Sequence, residues 1–361
     1  MKKFLLSFDY YILIPTLILI FLSFFVLSSF QPDLARSQAI NALLGLGLFL
    51  ILSLGHPVLY RGYAYYLYIA VLMLLIAVYA IGEVSHGANR WIPIFGNIRI
   101  QPSEFAKPIL ILSLAKLFSE TRVLTAKLFL VSIGLTLVYF ILVYKQPDLG
   151  TAMMFIFVWG IFLYLTDIPK KVLFVGLSSI ILISIVAGPF LWGSLHDYQR
   201  NRVLTFIEPE RDPLGTGYNV LQSMITVGSG GFFGKGFGQG TQSHNNFLPE
   251  QYTDFAFATY SEEFGFLGVS ILFLLYSIII WRIFRVADRL SSRFAVFVCM
   301  GVVGLMFFQI FINIGMNVGI VPVAGITLPF FSYGGSSLIS FLMCLGLVEA
   351  FSRADLGKTL N

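Results

Sequence analysis

The stretch "FLPEQYTDFAFATYSEEFGFLGVSILFLLYSIIIWRIF" (residues 247–284) changes character partway along. Its first part holds four carboxylates: Glu250, Asp254, Glu262 and Glu263. From Gly265 onward it is an apolar run of about 20 residues, enough to cross a bilayer core of roughly 30 Å as a helix. Ionisable groups at the mouth of such a run are costly to place, so the stretch sets the fold class and raises the question of function together.

The rest of the chain repeats the apolar half. Hydrophobic residues make up 57% of the 361 and charged residues 11%, against about 25% charged in a soluble chain. The mean hydropathy is +0.86. Apolar stretches recur near 10–29, 38–56, 63–82, 103–118, 125–144, 150–166, 171–192, 265–284, 294–315 and 330–350, of which 103–118 and 150–166 are the shortest. The expected fold is an all-α integral membrane protein with about ten transmembrane helices, one polytopic membrane domain over residues 1–361. Most of the 23 Lys and Arg residues fall in segments on one side, with the N-terminus inside; by the positive-inside rule both termini are cytoplasmic. The net charge of +5 is then a topology signal, and nucleic acid is excluded as a partner. Cys299 and Cys344 lie inside expected spans, so there is no disulfide framework.

Three segments on the other side are long or polar: 83–102, 193–253 and 316–329. The middle one is an extracytoplasmic loop far beyond ordinary connection lengths. It mixes aromatics, Pro and Gly without low complexity, which argues for order. Most of the 18 acidic residues gather on this side. The positive-inside rule does not require that, so chemistry or binding is expected there.

In "NRWIPIFGNIRIQPSEFAKP" (89–108), Ser103 is placed to cap a helix whose first turns hold Glu104 and Lys107 at i,i+3. Pro108 removes the helical hydrogen bond to Glu104. Two readings stand: an ion pair that fixes the start of the helix, or a cation facing a cavity and ready for phosphate, with Arg90 and Arg99 nearby. "KQPDLGTA" (145–152) reads as a tight hairpin in which Asp148 caps the next helix. "VGSGGFFGKGFGQGTQS" (227–243) has seven glycines in positions 228–240. It is no Walker loop, since Ser229 stands where Gly is required, and no G-x-G-x-x-G register fits. Its glycines offer N–H groups to an anion or let the loop pack against membrane helices. No zinc-protease, Cys–His or nucleophile-elbow motif occurs, and no motif requires a cofactor. A divalent cation, Mg or Mn, on the outer carboxylates is an open option. Thr253 is expected to cap a helix with Asp254 in its first turn, where the dipole favours an acid. Glu262 follows about 12 Å further on, and Glu263 faces the other way. Asp254, alone at the mouth, is either such an acid or a general base.

These motifs together resemble the SEDS family, the shape, elongation, division and sporulation polymerases of the bacterial cell wall. The resemblance runs over nearly the whole chain and rests also on "YQRNRVLTFIEPERDPLGTGYN" (198–219) and "GITLPFFSYGGSS" (325–337). The stretch "GTQSHNNFLPEQYTDF" (240–255) resembles the RodA branch, although Tyr252 stands where His is common. The resemblance implies a multi-pass protein of the bacterial cytoplasmic membrane, active on its outer side, that polymerises lipid II into glycan strands during elongation. Lipid II, the growing lipid-linked glycan, membrane lipids and a class B penicillin-binding protein are the implied partners. Asp254 is implied as the essential catalytic residue. Glu104, Lys107 and Asp148 are implied to matter as well; the departing diphosphate needs cations, for which Lys107 with Arg90, Arg99 or Arg200 are the expected residues, and Glu250 and Gln251 are expected on the substrate side. A lipid II flippase and a non-catalytic scaffold for the penicillin-binding protein are the alternatives. A flippase needs a path for a diphosphate through the midplane, and basic residues well inside spans are nearly lacking in the sequence.

Overall fold

The computed structural model describes residues 8–359, apart from 86–87, 96–97, 122, 124, 167–177, 179–192, 194–196, 212–214 and 246. Nine of the apolar runs are helices. In chain order these are α1 (Tyr10–Phe30), α2 (Pro32–Leu54), α3 (Pro57–Ile81), α4 (Pro102–Ser119), α5 (Ala126–Tyr144) and α6 (Leu149–Tyr164). After the loop region with α7 (Asp197–Ile207), α8 (Thr216–Ser229) and α9 (Thr241–His244) come α10 (Ala256–Arg289), α11 (Arg293–Asn317) and α12 (Gly335–Thr359). The run 171–192 lies outside the described residues. Among those described, seven helices are long and apolar enough to cross a membrane: α1, α2, α3, α5, α10, α11 and α12. α6 is apolar but short, and α4 carries Glu104, Lys107 and Lys116.

α4 sits inside the bundle, buried on nearly every face, and its buried charges, Glu104 and Lys107, are tolerated there because they pair with each other at 2.6 Å. α11 and α12 share its position, and all three touch one another. α1, α2, α3, α5, α6 and α10 pack around them and turn Leu43, Ile51, Tyr66, Leu130 and Leu274 outward. Where α2 meets α12 the backbones come close. A Cβ on Gly346 would stand 2.9 Å from the Phe49 carbonyl oxygen, and one on Gly45 2.5 Å from Leu342. Such small-residue contacts let membrane helices approach through packing alone.

Local chemistry sets the helix ends, in places against expectation. Ser103 does not cap α4; Gln101 is the N-cap residue, and Pro102 takes the first helical position, where a missing N–H costs nothing. Pro108 does leave the Glu104 carbonyl without a helical donor, and the Ser340 hydroxyl of α12 supplies one at 2.7 Å. The segment after α3 forms strands, which the sequence reading did not anticipate. β1 (Glu83–Ser85), β2 (Ala88–Phe95) and β3 (Ile98–Ile100) make an antiparallel sheet in that order, with Glu83 opposite Trp91 and Ile92 opposite Ile100.

The apolar run of the opening stretch starts earlier than expected, at Ala256, and is broken at Gly265 (φ 62°, ψ −162°). The glycine-rich loop docks into this break. Phe266 N–H donates to Gly231 O and Gly236 N–H to Glu263 O. A Cβ on Gly265 would stand 2.3 Å from Gly234 N, and one on Gly234 would stand 2.1 Å from Glu263 O. The glycines are there so that two backbones can touch. Gly265→Ala adds a clash with backbone atoms to a left-handed φ, at about 1–3 kcal/mol for the dihedral alone. A lowered melting temperature in detergent, with new proteolytic cleavage in 229–240, is expected; a wild-type melt would contradict this account of the break.

Candidate active site

Asp254 lies before α10, not in its first turn: residues 251–255 form a turn and Phe255 is the N-cap residue. Thr253 does not cap the helix either. Its hydroxyl donates to the Glu250 carboxylate at 2.9 Å, while the N–H groups of Thr253 and Phe255 both donate to Glu250 O. Glu250 has a left-handed φ of 50°, which folds the chain back. Thr259 Oγ1 donates to Gln251 O at 3.0 Å, and Tyr333 N–H donates to Tyr252 O at 2.8 Å. The Asp254 carbonyl accepts from Asn313 Nδ2 at 3.1 Å and from Asn317 Nδ2 at 3.0 Å, both on α11. Asn317 Oδ1 in turn accepts from the Ala258 N–H at 3.2 Å. A side chain of a neighbouring helix thus supplies the cap that α10 lacks in its own sequence.

Asp254 as a residue is half-buried, and its carboxyl faces the 325–327 loop. A Cβ added to Gly325 would come within 3.7 Å of Asp254 Oδ2. Burial pushes its pKa up to about 6; Glu250 and Asp148 push the same way, and Arg202 and Arg90 pull it down. Two carboxylates and two guanidinium groups therefore act on one acid, and Asp148, Glu250 and Arg90 share its site. Each is anchored. Arg90 Nε donates to Gln146 O at 2.8 Å and its Nη2 to Pro147 O. Asp148 accepts from Thr151 N–H at 3.1 Å and caps α6, and it also accepts from Gln101 Nε2 at 3.5 Å. Gly150 packs so closely on the 324–326 segment that a Cβ there would stand 2.5 Å from Ala324 O.

Other expected site residues are placed differently. Lys107 is not presented to a cavity: its ammonium, with a side chain 1% exposed, pairs with Glu104 at 2.6 Å. It also donates to Gln309 Oε1 at 3.2 Å and lies 5.9 Å from the Phe341 ring centre. Arg99 is exposed on β3. Arg200 donates to Gly193 O at 2.8 Å, whereas Arg202, which the sequence reading passed over, is the α7 cation whose charge acts on Asp254. Two residues apart on a helix, the two arginines point about 200° apart, and "RNR" alone does not say which one faces inward. Gln251 is buried in the same turn as Asp254.

Glu262 and Glu263 belong to the loop and not to the Asp254 site. Glu262 accepts from Lys235 Nζ at 2.7 Å, from the N–H groups of Gln242 and Ser243 at 2.9 and 3.1 Å, and from Ser243 Oγ at 2.9 Å. Glu263 accepts from Gly238 N–H at 3.3 Å and stands 3.8 Å from His244. The stretch "GTQS" is thus folded around a buried carboxylate. Among the described residues no group of three or more His, Cys, Asp or Glu side chains is placed to hold a metal ion.

The amides Gln309, Asn313 and Asn317 also escaped the sequence reading. Their signal was present: three amides at i, i+4 and i+8 in "QIFINIGMN" (309–317), on one face of an otherwise apolar helix.

The chain is similar to known proteins over nearly its whole length. A model of the cell cycle protein family FTSW_RODA_SPOVE matches residues 2–356. The peptidoglycan glycosyltransferase MrdB of Escherichia coli (strain K12) is 40% identical over 346 residues, covering 92% of each chain. The peptidoglycan glycosyltransferase RodA of Treponema pallidum is 29% identical over 389 residues, 88% of this chain and 89% of that one. Among solved structures, a chain of a peptidoglycan synthase complex that coordinates polymerization and crosslinking superposes with a TM-score of 0.84 at 34% identity, covering 96% of this chain and 98% of that one. The rod shape determining protein RodA of Thermus thermophilus superposes at 0.71 and 30% identity, covering 96% and 97%.

The buried Glu104–Lys107 pair gives a stability test. Removing one partner strands the other charge, at about 3–5 kcal/mol, whereas replacing both with apolar residues of like volume is near neutral. Lys107→Met should lower the melting temperature sharply, and Glu104→Leu/Lys107→Met should recover most of it. Equal losses in the single and double variants would show that the pair is not a coupled unit.

Proposed function

This chain belongs to the FTSW_RODA_SPOVE family and is a multi-pass membrane peptidoglycan glycosyltransferase; we propose that it polymerises lipid II with Asp254 as general base. The observation that carries this reading is the Asp254 site. Asp254 stands in a polar turn at one end of an apolar bundle, with Glu250 and Asp148 acting on it, and its pKa is lifted to about 6. Such an acid is ionised at neutral pH and more basic than a free aspartate, which suits a proton acceptor.

In the proposed step the acceptor sugar 4-hydroxyl attacks the anomeric carbon of the donor. Its oxygen forms the new glycosidic bond, its proton passes to Asp254, and the C1–O bond to undecaprenyl diphosphate breaks with the electron pair leaving on the diphosphate. The leaving group comes with the substrate, so no nucleotide loop is needed. Arg202 and Arg90, already set around Asp254, are the cations best placed to meet diphosphate charge. Lys107, closed into its pair, supports the site through Gln309 instead of by contact. Glu250, Gln251 and Asp148 line the same region and orient the sugars. We place the protein in the bacterial cytoplasmic membrane with this end of the bundle outward. One solved relative is a chain of a peptidoglycan synthase complex, and a class B penicillin-binding protein is the partner we propose for this chain.

Asp254→Asn keeps the shape of the side chain and removes its basicity. Purified variant with lipid II should give no polymeric glycan, at least about 1,000-fold below wild type, with an unchanged melting temperature. Polymer at wild-type yield from the folded variant would rule out the base.

A further inference from the structure

Gln309, Asn313 and Asn317 are each fully buried in a helix that is otherwise apolar. A buried amide costs free energy unless its polar atoms are bonded, so where the donors point tells what they are kept for. Each NH2 group has two hydrogens. Asn313 gives one to Asp254 O and the other to Ile326 O at 2.7 Å. Asn317 gives one to Asp254 O and the other to Asn313 O at 2.8 Å. Its Oδ1 accepts from Ala258 N–H and from Ser223 Oγ at 3.2 Å. Gln309 Nε2 donates to Thr327 O at 3.1 Å, while its Oε1 accepts from Lys107.

Capping α10 explains only Asn317 Oδ1 on Ala258. It does not explain two further donors from separate turns of α11 meeting on the carbonyl of Asp254, a residue outside the helix. Nor does it explain why the second hydrogen of Asn313 goes to Ile326. That residue follows Gly325, which borders the Asp254 carboxylate. One NH2 group therefore spans the gap between the turn that carries the carboxyl and the loop that faces it. With its carbonyl fixed from two directions, the Asp254 peptide cannot rotate. The carboxylate then has only its own side-chain torsions left.

We infer that Asn313 and Asn317 are positioning residues for glycosyl transfer, fixing the Asp254 carboxylate against the 325–327 loop. This rests on Asp254 being the base. The amides touch neither sugar nor diphosphate; they act through the Asp254 backbone. Gln309 extends the same line to the Glu104–Lys107 pair, so a change in that pair reaches the site through α11.

The test uses full-length protein in detergent with lipid II. Asn313→Ala, Asn317→Ala and the near-isosteric Asn313→Asp, which replaces the donors with an acceptor, are compared with wild type and Asp254→Asn. The readouts are kcat, KM, the pH profile of kcat and the melting temperature. Misplacing a catalytic group by about 1 Å costs up to about 100-fold, so kcat should fall about 10- to 100-fold while KM moves less than about threefold. The acid limb of the pH profile should also shift, because the carboxyl moves relative to the four charges around it. A purely structural role would scale the profile down without moving it. If the alanine variants do not fold, Asn317→Ser is the milder truncation read in the same way. Wild-type turnover per folded molecule with an unmoved acid limb, alongside an inactive Asp254→Asn, overturns the positioning role alone. An active Asp254→Asn overturns the base assignment itself.

Discussion

Two side-chain amides donate to one carbonyl oxygen, that of Asp254, from inside an apolar helix. Away from water each amide must be bonded, and an unpaired polar group there costs about 1–3 kcal/mol. Satisfying both donors of each NH2 group leaves little choice in how α11, the 251–255 turn and the 325–328 segment are arranged. Gln309 adds the Glu104–Lys107 pair to the same line, and Ser340 closes the carbonyl that Pro108 leaves open. The three central helices are thus joined by polar contacts along one stripe, and apolar packing fills in around it.

The carboxylates of the opening stretch divide their work according to their donors. Glu262 is surrounded by an ammonium, hydroxyls and two N–H groups; a carboxylate so engaged has no lone pair left for chemistry, and it holds the glycine-rich loop at the Gly265 break. Asp254 differs. Its backbone is held tightly, but its side chain faces a glycine and a ring of mixed charges. A rigid backbone beneath a partly buried carboxyl is the arrangement expected of a catalytic acid or base, whose supporting contacts fall on its neighbours.

Much of this could be read from the sequence, for reasons that separate cleanly. Apolar runs of span length mark helices whatever their neighbours do, so nine expected helices are present and only their ends moved. The first helical turn of α10 was misjudged because its cap comes from Asn317, 59 residues beyond Ala258 in the chain. The strands after α3 were missed because short strands in a loop carry too little alternation to register. Asp254, Asp148, Glu250 and Arg90 were legible as charges on one side of the membrane, and the fold does bring them together. Arg200 was taken for Arg202 because helix phase is invisible in a short loop helix. The amides of α11 carry no charge and so stand out less in the sequence than the acids and bases, although any polar side chain in a span raises the same question.

In the proposed reaction one carboxyl, Asp254, takes the proton during glycosyl transfer. Its folded pKa is raised to about 6, so the active, ionised form predominates above that pH and is lost below it. The measurement that reads this group in the free enzyme is the initial rate of glycan polymerisation by the purified chain at lipid II well below KM, from pH 4.5 to 8. A plateau above about pH 7 and a single acid limb centred near 6 are expected, the rate falling about tenfold per pH unit below it. A rate that stays flat down to pH 5, or that rises as the pH is lowered, would contradict Asp254 as the proton acceptor.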